Sequence, residues 1–123
     1  MTVYRRGTVV LVRFVFSDET GAKRRPAVVV SSPEYQRARQ EVIVAAITSN
    51  VQRRLFGDHV IAGWRAAGLL FPSLATGILR TIKRTMIEGR LGSMPEADVD
   101  AVDRRMRRSL GLLRPGPLAP PVR

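Results

Sequence analysis

The sequence contains no cysteine, and this absence excludes thiolate nucleophiles, cysteine-ligated zinc sites and disulfides. It also has no long uncharged apolar run, so we expect no membrane-spanning segment. Near the N-terminus Arg13 interrupts the apolar run that a secretory signal would need. We therefore expect a cytoplasmic protein without a membrane-spanning segment.

Recognisable catalytic and cofactor motifs are missing as well. There is no Walker loop, dinucleotide glycine motif, HExxH sequence or nucleophile elbow. His59 is the only histidine, and its neighbour Asp58 would point to the opposite face of a strand, so the two are poor joint metal ligands. We expect no metal and no cofactor, and we interpret His59 as structural.

Negative charge is scarce. The 123 residues include 21 Lys and Arg against 10 Asp and Glu, which gives a net charge of +11. Several of the acids crowd into one C-terminal segment, so the rest of the chain is more basic than the average: these are Glu96, Asp98, Asp100 and Asp103. Such a charge favours a polyanionic partner, whether nucleic acid, an acidic protein or an anionic membrane surface. Most of the cations are arginine, which suits bidentate contact with phosphate.

What is present is mainly strand-forming sequence. β-Branched and aromatic runs predict strands over 8–16, 26–31 and 41–49, with weaker signals at 58–63, 75–82 and 88–94. A polar loop over 17–24 joins the first two strands, and its composition predicts that it is mobile. Ser32 and Pro33 predict the start of a short helix, and 64–70 predicts one or two helical turns. Many short strands with few helices indicate a small, strongly curved antiparallel sheet or barrel.

A C-terminal helix and a tail complete the chain. Ser93 and Glu96 have the spacing of a capping box, and apolar residues recur after them at helical spacing. This pattern predicts a helix packed on the sheet. The four prolines after Leu113 predict a disordered tail over 114–123, so that 1–113 forms a single domain.

Two residues could act on a phosphate. Arg25 precedes Pro26 at the predicted start of the second strand, and Thr48 lies near the end of the third. If those strand ends adjoin, a guanidinium and a hydroxyl converge where a phosphorane transition state would need donors. From the residues alone, a hairpin cation and an ordinary strand former remain the simpler interpretation.

A resemblance changes this balance. The segments "RRGTVVLVRFVFSDETGAKRRPAVVVSS", "VIVAAITSN", "GDHVI", "AAGLLFPS" and "LRTI", followed by the C-terminal helix, resemble the MazF/PemK family of toxin endoribonucleases over residues 4–113. The resemblance implies an SH3-like antiparallel β-barrel with short helices and a C-terminal α-helix, usually a homodimer. It also implies metal-independent cleavage of single-stranded RNA at short sequences and inhibition by an acidic antitoxin protein, with operator DNA as a further partner of the toxin–antitoxin complex.

The family's catalytic residues fall on Arg25 and Thr48. We predict that RNA is bound by Lys23, Arg24, Ser49, Asn50, Arg80 and Thr81. Attack by the ribose 2′-OH would give a 2′,3′-cyclic phosphate, with water or the substrate taking the proton. Ile78 and Lys83 depart from the family pattern and bear on the target sequence. One alternative is a nucleic-acid-binding module on the same fold that acts with an antitoxin on DNA, without turnover. A second is a plain interaction domain whose basic surface binds an acidic antitoxin tail.

Overall fold

The computed structural model describes residues 2–15 and 21–112. The elements in chain order are β1 (Thr8–Val15), β2 (Ala22–Val29), α1 (Pro33–Arg39), β3 (Glu41–Thr48), β4 (His59–Val60), β5 (Leu74–Lys83), a 3-10 turn (Arg84–Met86), β6 (Ile87–Ser93) and α2 (Glu96–Ser109). The expected class, mainly β with a C-terminal helix, is confirmed. The predicted domain boundary at 113 and the tail lie outside the described residues.

All strands belong to one antiparallel sheet in the order β4-β5-β3-β2-β1-β6. β5 and β6 lie towards opposite edges of this order, yet the 3-residue turn Arg84–Met86 joins them. The sheet must therefore curl until those two strands meet at one end. No strand pairing links β4 to β6 in the described chain, so the sheet is a strongly curved, open one rather than a closed barrel.

Both faces of the central strands are covered by apolar side chains, because the strands alternate buried residues on two sides. One face buries Val10, Val12, Ala27, Val29, Val42, Val44 and Ile82. The other packs against α2 and the segment 61–69, and it buries Val9, Val28, Ala45, Ile47, Ile61, Ala67, Leu69, Ala75, Met94 and Val102. Two cores on either side of β1, β2 and β3 hold the central strands rigidly.

The first hairpin is longer than the sequence predicts. β2 begins at Ala22 rather than Pro26, because β1 continues to Val15 and the ladder continues with it, pairing Arg13 with Arg24 and Phe14 with Lys23. Only 17–21 of the predicted 17–24 loop lies between the two strands, and 17–20 falls outside the described residues. Arg25 accordingly lies inside β2 and does not begin it.

One helix prediction needs correction and two agree with the structure. The predicted turns of segment 64–70 occur over 62–68, where the Ala67 N–H donates to the Gly63 carbonyl at 3.0 Å. Ser93 does not cap α2, since the cap residue is Pro95 and Ser93 ends β6, where its Oγ accepts a hydrogen bond from Arg90 at 2.9 Å. Ser32 does cap α1, as predicted, accepting from the Tyr35 N–H at 3.1 Å.

α2 is the longer of the two helices at 14 residues, and no helix in the described chain has the length and apolar character needed to cross a membrane.

Candidate active site

Arg25 and Thr48 meet at one cavity. They line it together with Ser49, and its volume is about 410 Å³. The ladder between β2 and β3 ends at the pair Ala27–Ala46. Arg25 and Thr48 each lie two residues beyond that pair, at the same end of the two strands, because the strands are antiparallel. Both side chains border the cavity at this end of the sheet.

The Arg25 guanidinium is exposed, and no carboxylate of residues 2–15 or 21–112 forms an ion pair with it. Other arginines of the chain are paired: Arg24 with Glu88, Arg6 with Asp103 and Arg39 with Glu41. An arginine that lines a cavity without such a partner can offer its whole donor fork to a ligand. Arg25 is thus equipped to receive a phosphate.

The Thr48 hydroxyl is fixed by the chain that follows it. Its Oγ1 accepts a hydrogen bond from the Asn50 N–H at 3.1 Å, which closes a tight turn at the end of β3. A hydroxyl has one donor and two acceptor positions, so this bond leaves its O–H to donate into the cavity. Thr48 is half-buried, which limits the directions that the donor can take.

The rest of this cavity is largely apolar. The wall consists of Leu11, Pro26, Ile47, Gly68, Leu69, Leu70, Phe71, Ser73 and Leu91. None of these residues was predicted to belong to the site from the sequence. The available signal was the run Leu69–Leu70–Phe71 ahead of Pro72, since large apolar residues in a segment without strand or helix need a reason to be there.

Thr48 also borders a second cavity of about 430 Å³ on its other side. Asn50 and the departing residue Ile78 line this second cavity, together with Ala46, Arg53, Leu55, Phe56, Asp58, Thr76 and Gly77. The Asp58 carboxylate has a structural role in this cavity wall, because it accepts hydrogen bonds from the Leu55 and Gly77 N–H groups at 2.9 Å each. Thr48 is the one residue that lines both cavities.

The remaining predicted RNA-binding residues do not line the Arg25 cavity. Lys23 and Arg24 lie in β2, and Arg24 is held by Glu88. Arg80 and Thr81 lie in β5, where the Arg80 guanidinium is stacked 4.6 Å from the centre of the Phe14 ring. Lys83, the other departure from the family pattern, is exposed at the end of β5.

His59 is tied to α2. Its Nε2 lies 2.7 Å from Asp98 Oδ1, and the same carboxylate accepts from the Ala62 and Gly63 N–H groups at 2.9 Å each. Burial raises the pKa of Asp98, but these hydrogen bonds outweigh it, so that the pKa lies below its ordinary value. The arrangement agrees with a structural role for His59. No group of three potential metal ligands occurs within the described chain.

Residues 5–110 match a family model described as "PemK-like, MazF-like toxin of type II toxin-antitoxin system". Over 94 residues the chain is 34% identical to Endoribonuclease MazF6 of Mycobacterium tuberculosis strain H37Rv, covering 74% of this chain and 82% of that protein. Endoribonuclease MazF2 of Mycobacterium bovis matches with the same identity and coverage.

Solved structures show the same fold. A MazE-MazF crystal structure from Deinococcus radiodurans superposes with a TM-score of 0.77 at 19% identity, covering 92% of this chain and 100% of the other. A mycobacterial endoribonuclease in complex with its cognate antitoxin gives a TM-score of 0.73 at 17% identity, covering 91% and 99%. At such low identities these likenesses establish the architecture.

Proposed function

This chain belongs to the PemK-like, MazF-like family of type II toxins, and we propose that it is an endoribonuclease toxin that cleaves single-stranded RNA at the cavity holding Arg25 and Thr48. The observation that carries the proposal is the shared cavity, in which an arginine without a carboxylate partner among the described residues adjoins a fixed hydroxyl. The endoribonuclease relatives favour turnover over the alternative of a DNA-binding module that does not cleave.

The reaction begins when the ribose 2′-OH adjoining the scissile phosphate attacks the phosphorus. A new bond forms from the 2′ oxygen to phosphorus and the bond to the 5′ oxygen breaks, leaving a 2′,3′-cyclic phosphate and a 5′-OH end. The proton lost by the 2′-OH passes to water or to the substrate, and the 5′ oxygen gains one as it leaves. DNA lacks the 2′-OH and is not cleaved.

Arg25 and Thr48 stabilise the charge that builds up during this attack. The Arg25 fork donates to the nonbridging oxygens of the phosphorane, and the Thr48 hydroxyl adds a third donor from the neighbouring strand. Two apolar cores hold β2 and β3 together, so these donors need little rearrangement when the charge develops.

The partners follow from charge. A net charge of +11 suits both RNA and an acidic antitoxin, and an acidic segment that folds on binding would block the cavity that RNA uses. We include in the proposal a homodimer and binding of operator DNA by the toxin–antitoxin complex. Sedimentation of the purified toxin tests the homodimer, and operator binding with and without antitoxin tests the DNA partner.

The catalytic assignment is tested by substitution. We expect Arg25→Ala to lower the cleavage rate by roughly 100- to 1000-fold, since it removes a donor that acts chiefly in the transition state. Arg37→Ala is the matched control, because Arg37 is an exposed arginine on α1 away from the cavity. Circular dichroism should show both variants folded. Cleavage by the Arg25→Ala variant at the rate of the control would refute the role of Arg25.

A further inference from the structure

An exposed apolar surface borders the Arg25 cavity. Leu70 is 83% exposed, Phe71 62% and Leu91 38%, although all three contribute to the cavity wall. We propose that Phe71, flanked by Leu70, is a stacking platform for the base of a nucleotide next to the scissile phosphate. The inference rests on the proposed function and adds a residue that binds and selects substrate.

The backbone beneath this platform is fixed even though the ring is exposed. The Phe71 carbonyl accepts a hydrogen bond from the buried Ser73 hydroxyl at 2.8 Å, and the Ser73 carbonyl accepts from the Ile61 N–H at 3.0 Å. Gly68, at the other end of the segment, has a φ of +80°, and a Cβ there would lie 2.0 Å from the Leu91 carbonyl oxygen. Close packing therefore fixes where the Leu69–Phe71 segment passes. Leu69 is buried in the core, and the side chains of Leu70 and Phe71 project outwards.

The chemistry of the cavity matches a nucleotide better than an apolar protein surface. It presents the Arg25 guanidinium and the Thr48 hydroxyl for a phosphate, the Ser49 hydroxyl for a ribose, and an aromatic ring for a base. An apolar partner seated on Phe71 would also desolvate Arg25 without supplying an anion, which is costly. The volume of about 410 Å³ lies within the usual range of small-ligand sites.

The position of the platform predicts selectivity of a particular kind. Stacking accepts any base with a π-face but favours larger, better-stacking bases, so Phe71 contributes to affinity and preference without reading a hydrogen-bond pattern. Its loss should raise KM while leaving kcat nearly unchanged, because the ring contacts substrate and transition state alike.

The test begins by mapping the cut site in a long RNA. Oligonucleotides spanning that site are then made uncleavable by a single 2′-deoxy substitution, and abasic residues are placed singly at the positions flanking the cut. We expect Phe71→Ala to weaken binding of the intact oligonucleotide by about 10- to 100-fold. At one flanking position the abasic residue removes the base that stacks on Phe71. The oligonucleotide with that abasic residue should bind the wild-type protein and the Phe71→Ala variant with equal affinity. Phe71→Trp should stay close to wild type, and Leu110→Ala, an exposed apolar control on the C-terminal cap of α2, should match wild type.

Three results would overturn the inference. The first is a loss of affinity in Phe71→Ala that persists with every abasic oligonucleotide, wherever the abasic residue is placed, which would mean that no base stacks on the ring. The second is unchanged binding by Phe71→Ala. The third is a Phe71→Ala variant whose oligomeric state changes in sedimentation, which would make this surface an interface between copies of the chain. Any of these results could occur while the Arg25→Ala variant still loses cleavage, so the inference can fail while the proposed function stands. A wild-type protein that does not cleave RNA would refute the proposed function itself.

Discussion

Asp98 is the residue whose loss should destabilise the fold most clearly, and the change to test is Asp98→Ala. Its carboxylate is 3% exposed and joins three elements of the chain. It contacts His59 in β4 at 2.7 Å and accepts from the N–H groups of Ala62 and Gly63 at 2.9 Å each, while itself lying in the first turn of α2. Alanine would remove all three contacts together.

The magnitude follows from what would be left behind. Two partly buried backbone N–H groups and the His59 ring would lose their acceptor, and an unsatisfied buried donor costs about 1–3 kcal/mol. The three groups are only partly buried, so each is expected towards the lower end of that range, and their losses add. We therefore expect Asp98→Ala to lower the free energy of unfolding by about 3–5 kcal/mol, a large part of the stability of a typical domain.

The assay is urea unfolding followed by circular dichroism at neutral pH. Asp100→Ala is the matched control, because Asp100 is an exposed acid on the same helix two residues further on. Asp98→Asn keeps an acceptor of the same shape and should fall between wild type and Asp98→Ala. The reasoning would be refuted if Asp98→Ala destabilised the protein no more than Asp100→Ala does.

Further predictions concern the cavity, acid stability and the partner. Gly68→Ala should destabilise the protein or prevent folding, because the Gly68 φ of +80° and the nearby Leu91 carbonyl leave no room for a Cβ. Thermal unfolding would measure the loss of stability, and an unchanged melting temperature would contradict the prediction. Arg25→Lys should restore little of the cleavage lost in Arg25→Ala, since a point charge cannot replace the fork, and single-turnover kinetics would decide; a wild-type rate would refute it. Hydrogen bonds hold the pKa of Asp98 below its ordinary value in the folded protein. The ionised Asp98 carboxylate should therefore contribute fully to stability above about pH 4, and this contribution should be lost as the pH falls through the lower folded pKa. Unfolding curves of wild type and Asp98→Asn should accordingly converge in acid. Rising salt should slow association with an acidic antitoxin much more than it speeds dissociation, and stopped flow would measure both rates. The antitoxin should also displace an uncleavable RNA analogue, and simultaneous binding of both at full affinity would contradict occlusion of the RNA site.

Strand-forming patterns predicted much of the fold because alternation and β-branched runs are local signals. β1 and β3 occur within one or two residues of their predicted bounds, and Ser32 caps α1 as expected. The early start of β2 was missed because pairing with β1 carries Lys23 and Arg24 into the ladder, and charged residues are weak strand formers when read alone. The capping-box prediction was wrong because β6 extends to Ser93, whose hydroxyl serves Arg90 instead.

The candidate site was predictable in its polar half. Arg25 and Thr48 were singled out from the sequence and the resemblance, and they share a cavity at the end of the sheet where the β2–β3 ladder stops. In the apolar half only the run Leu69–Leu70–Phe71 gave a signal. That Leu91 lines the same cavity was not predictable, because it depends on the packing of the segment around Gly68 against β6. The partner of His59 was hidden for the same reason, because Asp98 lies on a helix 39 residues away along the chain.

The most direct test of the central claim is cleavage of a single-stranded RNA in EDTA, with the product ends mapped at the cut. We predict a 2′,3′-cyclic phosphate on one fragment and a 5′-OH on the other, and no cleavage when the nucleotide before the cut carries a 2′-deoxy sugar. Cleavage that persists at the 2′-deoxy site, or that leaves a 5′-phosphate, would contradict it.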